Sequence, residues 1–229
     1  MQPYLFPYLG YYQLFHATNT FVSLDDVPFI KKGWINRNRI LLQGNDHLFT
    51  VPISGQSQNV SIRDSMVASE DGWRKKLLNT MTHAYRKAPC FESVFPIVER
   101  VLSNGNVSIA DMAEESLRSV MNHLGLPSEI LHASELDIDP DLHGQSRIMA
   151  ICARLQTSLY VNPSGGRTLY EPDVFARHGM DLRFLRMVPV KYDQGGSKTF
   201  QPALSMIDIL MWNSKDEVLA LMAAYALEQ

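Results

Sequence analysis

An α/β fold is what this sequence predicts: Rossmann-like, with a largely parallel, doubly wound sheet and a helical insertion. Three observations carry that expectation. A short helix, Tyr8 to Ala17, runs at once into a β-branched and aromatic strand, Thr20 to Leu24, which is half of a βαβ unit. From Glu129 onward, short strands alternate with single helices, the pattern of a parallel sheet. Between these stretches, residues 71–125 carry three helices in succession, which reads as an insertion or subdomain within one domain spanning 1–229.

The first helix is entered through Pro7, and its strand stops at Asp25-Asp26. Asn38 to Leu42 and His47 to Ile53 flank Gly44-Asn45 as a β-hairpin. From Gly72, Trp73, Leu77, Leu78 and Met81 recur at three- and four-residue spacing, one apolar helical stripe that Pro89 ends. Phe91 to Leu102 and Ser108 to Leu124 are the next helices. The latter has Ser108 as N-cap, Asp111 three residues on, and Gly125 as its stop. Then come strand Glu129 to Ala133, helix Gly144 to Leu155, strand Ser158 to Val161, helix Pro172 to His178 and strand Asp181 to Met187. After a Gly/Lys-rich loop at 194–198, Ser205 to Trp212 and Lys215 to Leu227 close the chain as helices.

Composition narrows the function classes. A hydrophobic fraction of 45% is that of an ordinary globular protein with a full core. A net charge of −3 argues against general nucleic-acid binding. No apolar run approaches the roughly 20 residues that span a bilayer, so no membrane insertion is expected. Two cysteines, Cys90 and Cys152, give no disulfide framework, which points to a reducing, cytoplasmic setting. No metal-ligand spacing stands out.

The polar chemistry is concentrated near the start. Gln2, Tyr4, Tyr8, Gly10 and Tyr11 fall in one short stretch, and Lys31, Lys32, Asn36, Arg37, Asn38 and Arg39 in another. Such groups are costly to bury without partners and suit a pocket for an anionic, hydroxyl-bearing ligand. Along a strand Arg37 and Arg39 share one face and Asn36 and Asn38 the other. The arginines can fork onto phosphate or carboxylate, and the asparagines can both donate and accept. Asp25 and Asp26 close a strand, where open α/β sheets bind ligands. Facing opposite ways, one would act as base and the other would cap the turn, with Asp25 the preferred base. His16, eight residues earlier, is a further catalytic candidate. Asn162, Ser164, Gly165 and Gly166 follow another strand and can present N–H groups to an anion, with Tyr170 as a wall. The expectation is that Asp25, Arg37, Asn38 and the Gly165-Gly166 loop converge on one cleft walled by Tyr4, Tyr8 and Tyr11.

Taken together, several strings resemble the WbqC-like protein family: Gln2-Pro3-Tyr4 to Gly10-Tyr11, Phe21-Val22 with Asp25-Asp26-Val27, and Lys32-Gly33-Trp34 to Arg39. Tyr85-Arg86-Lys87-Ala88-Pro89, Arg147-Ile148 with Ile151-Cys152, Tyr160 to Pro163 with Gly165-Gly166, and Leu204 to Asp208 extend the likeness across the chain. The sequence departs from the family in lacking a short apolar strand before Gln2 and in having Asn19 where an aspartate is common. The resemblance implies a cytoplasmic transferase of O-antigen or other surface-polysaccharide synthesis, moving a glycyl, aminoacyl or acyl group onto the amine of a nucleotide-linked amino sugar. Separately, Tyr8-Leu9-Gly10-Tyr11 has the spacing of the His-x-Gly-His turn of HIGH-type nucleotidyltransferases, with tyrosines in both histidine places. An adenylating reaction of that kind would call for ATP with magnesium. A non-catalytic nucleotide-sugar-binding protein is the third alternative.

Overall fold

The computed structural model describes residues 1–55, 60–70, 72–104, 107–127, 129–195 and 199–229. The part of the Gly/Lys-rich loop at 196–198 lies outside them. Helix α1 (Leu9–Ala17) leads into strand β1 (Phe21–Ser23), followed by the hairpin β2 (Arg37–Leu42) and β3 (Asn45–Thr50). Helices α2 (Gly72–Tyr85), α3 (Phe91–Ser103) and α4 (Ile109–Leu124) come next, then β4 (Ile130–His132) and α5 (Gly144–Arg154). The remainder is β5 (Leu159–Pro163), α6 (Pro172–Arg177), β6 (Asp181–Met187), α7 (Met206–Trp212), α8 (Lys215–Ala223) and β7 (Tyr225–Glu228).

The architecture is mixed α/β with parallel strand pairs, divided among small sheets. β1 runs parallel to β4, with Phe21 opposite Ile130 and Ser23 opposite His132. β5 runs parallel to β6, whose other edge pairs antiparallel with β7. A cavity of about 300 Å³ separates the two parallel pairs, bounded by Phe21 and Val22 on one side and by Leu159, Tyr160 and Val161 on the other. Met1 reaches the edge of this cavity in parallel-strand fashion. Its amine donates to the Val22 carbonyl at 2.7 Å, and its carbonyl accepts from the Leu24 N–H at 2.7 Å.

Local chemistry accounts for most element ends. Gln43 and Gly44 both have positive φ, 53° and 79°, which is the two-residue turn that matches the twist of a hairpin. The turn therefore sits one residue earlier than the Gly44-Asn45 expected. Ser108 and Asp111 form a reciprocal capping box on α4, and Gly125 closes it in the left-handed conformation at φ 75°. The C-terminus differs from expectation. Helix α8 stops at Ala223, and Tyr225–Glu228 becomes a strand against β6. The segment has good helix formers, but the open edge of β6 offers a ladder of backbone bonds that outweighs propensity. Arg167 and Arg186 then clasp Glu228.

One buried cluster joins α1, the hairpin and the long helices, with Leu5, Tyr12, Ile40, Tyr85, Leu117 and Met206 among its members. Helices α2–α4 thus contribute to the same core as α1. A smaller cluster of Ile148, Ile151, Cys152, Phe175, Leu182 and Phe184 packs α5 and α6 around β6. Cys152 is core, and burial pushes its thiol pKa up, which disfavours a nucleophilic thiolate.

Candidate functional site

The parallel register of β1 and β4 places Ser23 beside His132, so the chain segments leaving both strands emerge together. Asp25, 3% exposed, lies just past β1. Its carboxylate accepts the Ser134 hydroxyl at 2.7 Å and the Ser134 N–H at 3.1 Å. His132 Nδ1 stands 3.9 Å from Asp25 Oδ2, the oxygen that accepts the Ser134 hydroxyl, and His132 Nε2 is 3.3 Å from Glu114 Oε2 on α4. Glu114 is itself buried, and burial raises its pKa above the usual carboxylate range, opposed by the Ser23 hydroxyl, His132 and Arg118. An imidazole lying between two buried carboxylates, with part of its ring open to solvent, is placed as a candidate proton acceptor.

Asp26 turns elsewhere, as adjacent residues leaving a strand should. It pairs with the Arg147 guanidinium from α5. Asp26 Oδ1 and Arg147 Nε are left without hydrogen-bond partners among the described residues. The division of labour differs from the expected one: Asp25 fixes the turn after β4 through Ser134, and Asp26 forms an ion pair instead of a cap.

A second concavity, of about 180 Å³, is walled by Tyr4, Tyr8 and Trp34, with Asn38 and Arg39 supplying its polar groups. Arg39 and Arg37 lie 5.7 and 5.6 Å from the Trp34 ring centroid, a cation–π arrangement that keeps both charges near the aromatic wall. Arg39 pairs with Asp46 at 3.0 Å, while its Nε is buried with no partner among the described residues. The accessible part of Arg39 is the rest of its guanidinium, its side chain being 32% exposed. Burial raises the phenol pKa values of Tyr4 and Tyr8, so both stay hydrogen-bond donors. A larger apolar cavity of about 520 Å³ shares Tyr8 and Ala203 with this pocket and runs past Met187 at the end of β6.

The turn that carries Tyr4 and Tyr8 is strained and firmly held. Phe6, 1% exposed, has φ 41°, a conformation that side chains rarely adopt. Its N–H donates to Ser116 Oγ, and its carbonyl accepts from Asn38 and Ser205. Surrounding structure thus fixes a backbone outlier beside the pocket.

The remaining sequence candidates have definite places. Arg37 is committed to the carbonyls of Gly33 and Lys32. Asn36 donates to the Val51 carbonyl at 2.7 Å, deep in the core. Tyr11 is buried with its hydroxyl spent on the Gln2 carbonyl, so only the first of the two tyrosines in the His-x-Gly-His-like turn faces a pocket. Gln2 accepts from Tyr4. Gly10 is required by crowding, because a Cβ there would sit 2.6 Å from both Met187 Sδ and the Tyr8 ring. Lys31 and Lys32 are exposed outside either concavity. His16 sits at the far end of α1 and contacts the Tyr225 hydroxyl at 3.1 Å. Asn162 bonds to the hydroxyls of Tyr160 and Tyr170 and fills the space against Gly166, while Ser164 and Gly165 start a 3-10 turn. The Gly165-Gly166 loop lines neither the Tyr4 pocket nor the His132 cluster.

Glu114, His132 and Ser134 were not among the sequence candidates. A signal existed for Glu114: it stands at helical spacing from Ala110, Leu117 and Met121, a carboxylate inside an apolar stripe.

Compared with known proteins, the WbqC-like protein family matches residues 2–220. The chain belongs to that family. It is also similar to the uncharacterized protein Rv1507c of Mycobacterium tuberculosis (strain ATCC 25618 / H37Rv), 23% identical over 215 residues, covering 89% of this chain and 88% of that one. No solved structure matches it. Among the described residues, no helix is long and apolar enough to cross a membrane.

Proposed function

We propose that this WbqC-like protein is a transferase of surface-polysaccharide assembly, moving an aminoacyl or acyl group onto the amine of a nucleotide-linked amino sugar. The observation that carries the reading is His132 held between the buried carboxylates of Asp25 and Glu114 at the ends of a parallel strand pair. In the reaction, the sugar amine forms a bond to the acyl carbon and the bond from that carbon to its leaving group breaks. The proton lost by the nitrogen passes to the His132 ring, and the two carboxylates stabilise the resulting imidazolium. Asp25, engaged by Ser134, is a positioning group in this scheme.

The Tyr4–Tyr8–Trp34 pocket suits the ring of a base or sugar, and Arg39 suits a phosphate or carboxylate oxygen. Family membership adds the polysaccharide context. The test is amide formation on a panel of nucleotide-linked amino sugars, with the donor varied among free glycine plus ATP and magnesium, an acyl thioester and an aminoacyl carrier. Mass-detected product with one pair supports the reading. Binding of a sugar nucleotide without turnover by any donor identifies a binding protein instead.

A further inference from the structure

Phe29 and Ile35 are both buried, and four of the five residues between them are exposed, Gly33 being half-buried. Ile30 is 51% exposed and Trp34 43% exposed, with Lys31 and Lys32 fully on the surface between them. This protrusion is built to hold its shape. The Gly33 N–H closes a turn onto the Ile30 carbonyl at 3.1 Å, and a Cβ on Gly33 would sit 3.0 Å from that oxygen. Lys32 takes φ 61°, and the Arg37 guanidinium bonds to the carbonyls of Lys32 and Gly33 from below. At the base, Phe29 N–H donates to Val60 and Leu5 N–H to Ile35.

The local charge opposes that of the whole chain. Between Val27 and Asn45 there are four cationic side chains and no carboxylate, in a protein of net charge −3. Lys31 and Lys32 form no ion pair among the described residues. Exposed isoleucine and tryptophan interleaved with free lysines match the interface of an anionic bilayer, where indoles lie at headgroup depth and lysines meet lipid phosphates. A soluble polyanion would use the lysines but gain nothing from Ile30.

We propose that the Ile30–Trp34 turn docks the protein on the surface of an anionic lipid bilayer. Trp34 is also a wall of the Tyr4–Tyr8 pocket, so docking sets the mouth of that pocket against the lipid headgroups.

The test is co-sedimentation of the full chain with phosphatidylcholine vesicles, with and without phosphatidylglycerol. Binding is expected to the anionic vesicles, to fall with salt, and to be weak on the neutral ones. Lys31→Ala/Lys32→Ala should weaken it roughly tenfold or more, and Ile30→Ser about threefold to tenfold. Lys75→Ala/Lys76→Ala, an equally charged pair on the exposed face of α2, should leave it unchanged. These side chains are all exposed, and melting temperatures near wild type confirm that the variants fold. Three results would overturn the proposal: no pelleting with anionic vesicles, equal losses from the α2 pair, or no effect of Ile30→Ser. Binding of soluble polyphosphate as tightly as vesicles, insensitive to Ile30→Ser, would replace the bilayer with a polyanion.

Discussion

Asp208→Asn should change how stability depends on pH. Asp208 lies on α7, is fully buried, and accepts the Tyr85 hydroxyl from α2 at 2.8 Å. Burial lifts its pKa from 3.8 to about 6, opposed by the hydrogen bond from Tyr85. Below the unfolded value the carboxyl is protonated in both states. Between 3.8 and about 6 the unfolded carboxyl ionises while the folded one keeps its proton, so folding stability falls as pH rises through that window. The separation amounts to about 3 kcal/mol. An asparagine has no proton to lose, so the variant should lack this slope. Relative to wild type it should gain up to about 3 kcal/mol between the acidic and neutral ends, superimposed on a pH-independent cost for one lost acceptor. Glu114, also raised by burial, contributes a slope of the same sign to both proteins, which cancels in the difference. Urea denaturation of both proteins across this pH range measures it. A wild-type stability that rises between these limits relative to the variant would refute the argument.

Arg39→Ala should weaken binding of an anionic ligand about tenfold to a hundredfold, from loss of a charge-assisted contact, and calorimetry reads it. Arg37→Ala should instead loosen the Ile30–Trp34 turn at a cost of roughly 1 kcal/mol, with smaller effect on that ligand; equal effects at both positions would undo the distinction. Gly10→Ala must displace Met187 or the Tyr8 ring, and should cost about 1–3 kcal/mol in thermal stability while lowering ligand affinity. Ser108→Ala, which removes the capping box of α4, should cost about 1 kcal/mol and leave ligand affinity unchanged.

Much of the chain was legible because its signals are local. Ser108, Asp111 and Gly125 mark both ends of α4 without reference to anything distant, and the run Asp181–Met187 is a strand throughout. β7 was illegible because its helix-forming residues become a strand only when the edge of β6 is beside them. The single doubly wound sheet was expected from alternation alone, which says nothing of the cavity that parts β1 from β5. In the site, the aromatic turn was conspicuous, and Tyr4, Tyr8, Asn38 and Arg39 do share a pocket. His132 gave no sign, since its significance depends on register with Ser23 and on Glu114 arriving from another helix. Arg37 and Asn36 misled because a polar side chain bonded to backbone reads, in sequence, like one waiting for a ligand.

The most direct test of the proposed chemistry compares turnover by wild type and His132→Gln on a nucleotide-linked amino sugar with its productive donor. A general base typically contributes about 10²–10⁴-fold, and the pocket proposed for the sugar nucleotide is formed by other residues. The variant should therefore lose kcat by that factor and keep KM near wild type. A variant that retains wild-type kcat would contradict the assignment of His132 as the proton acceptor.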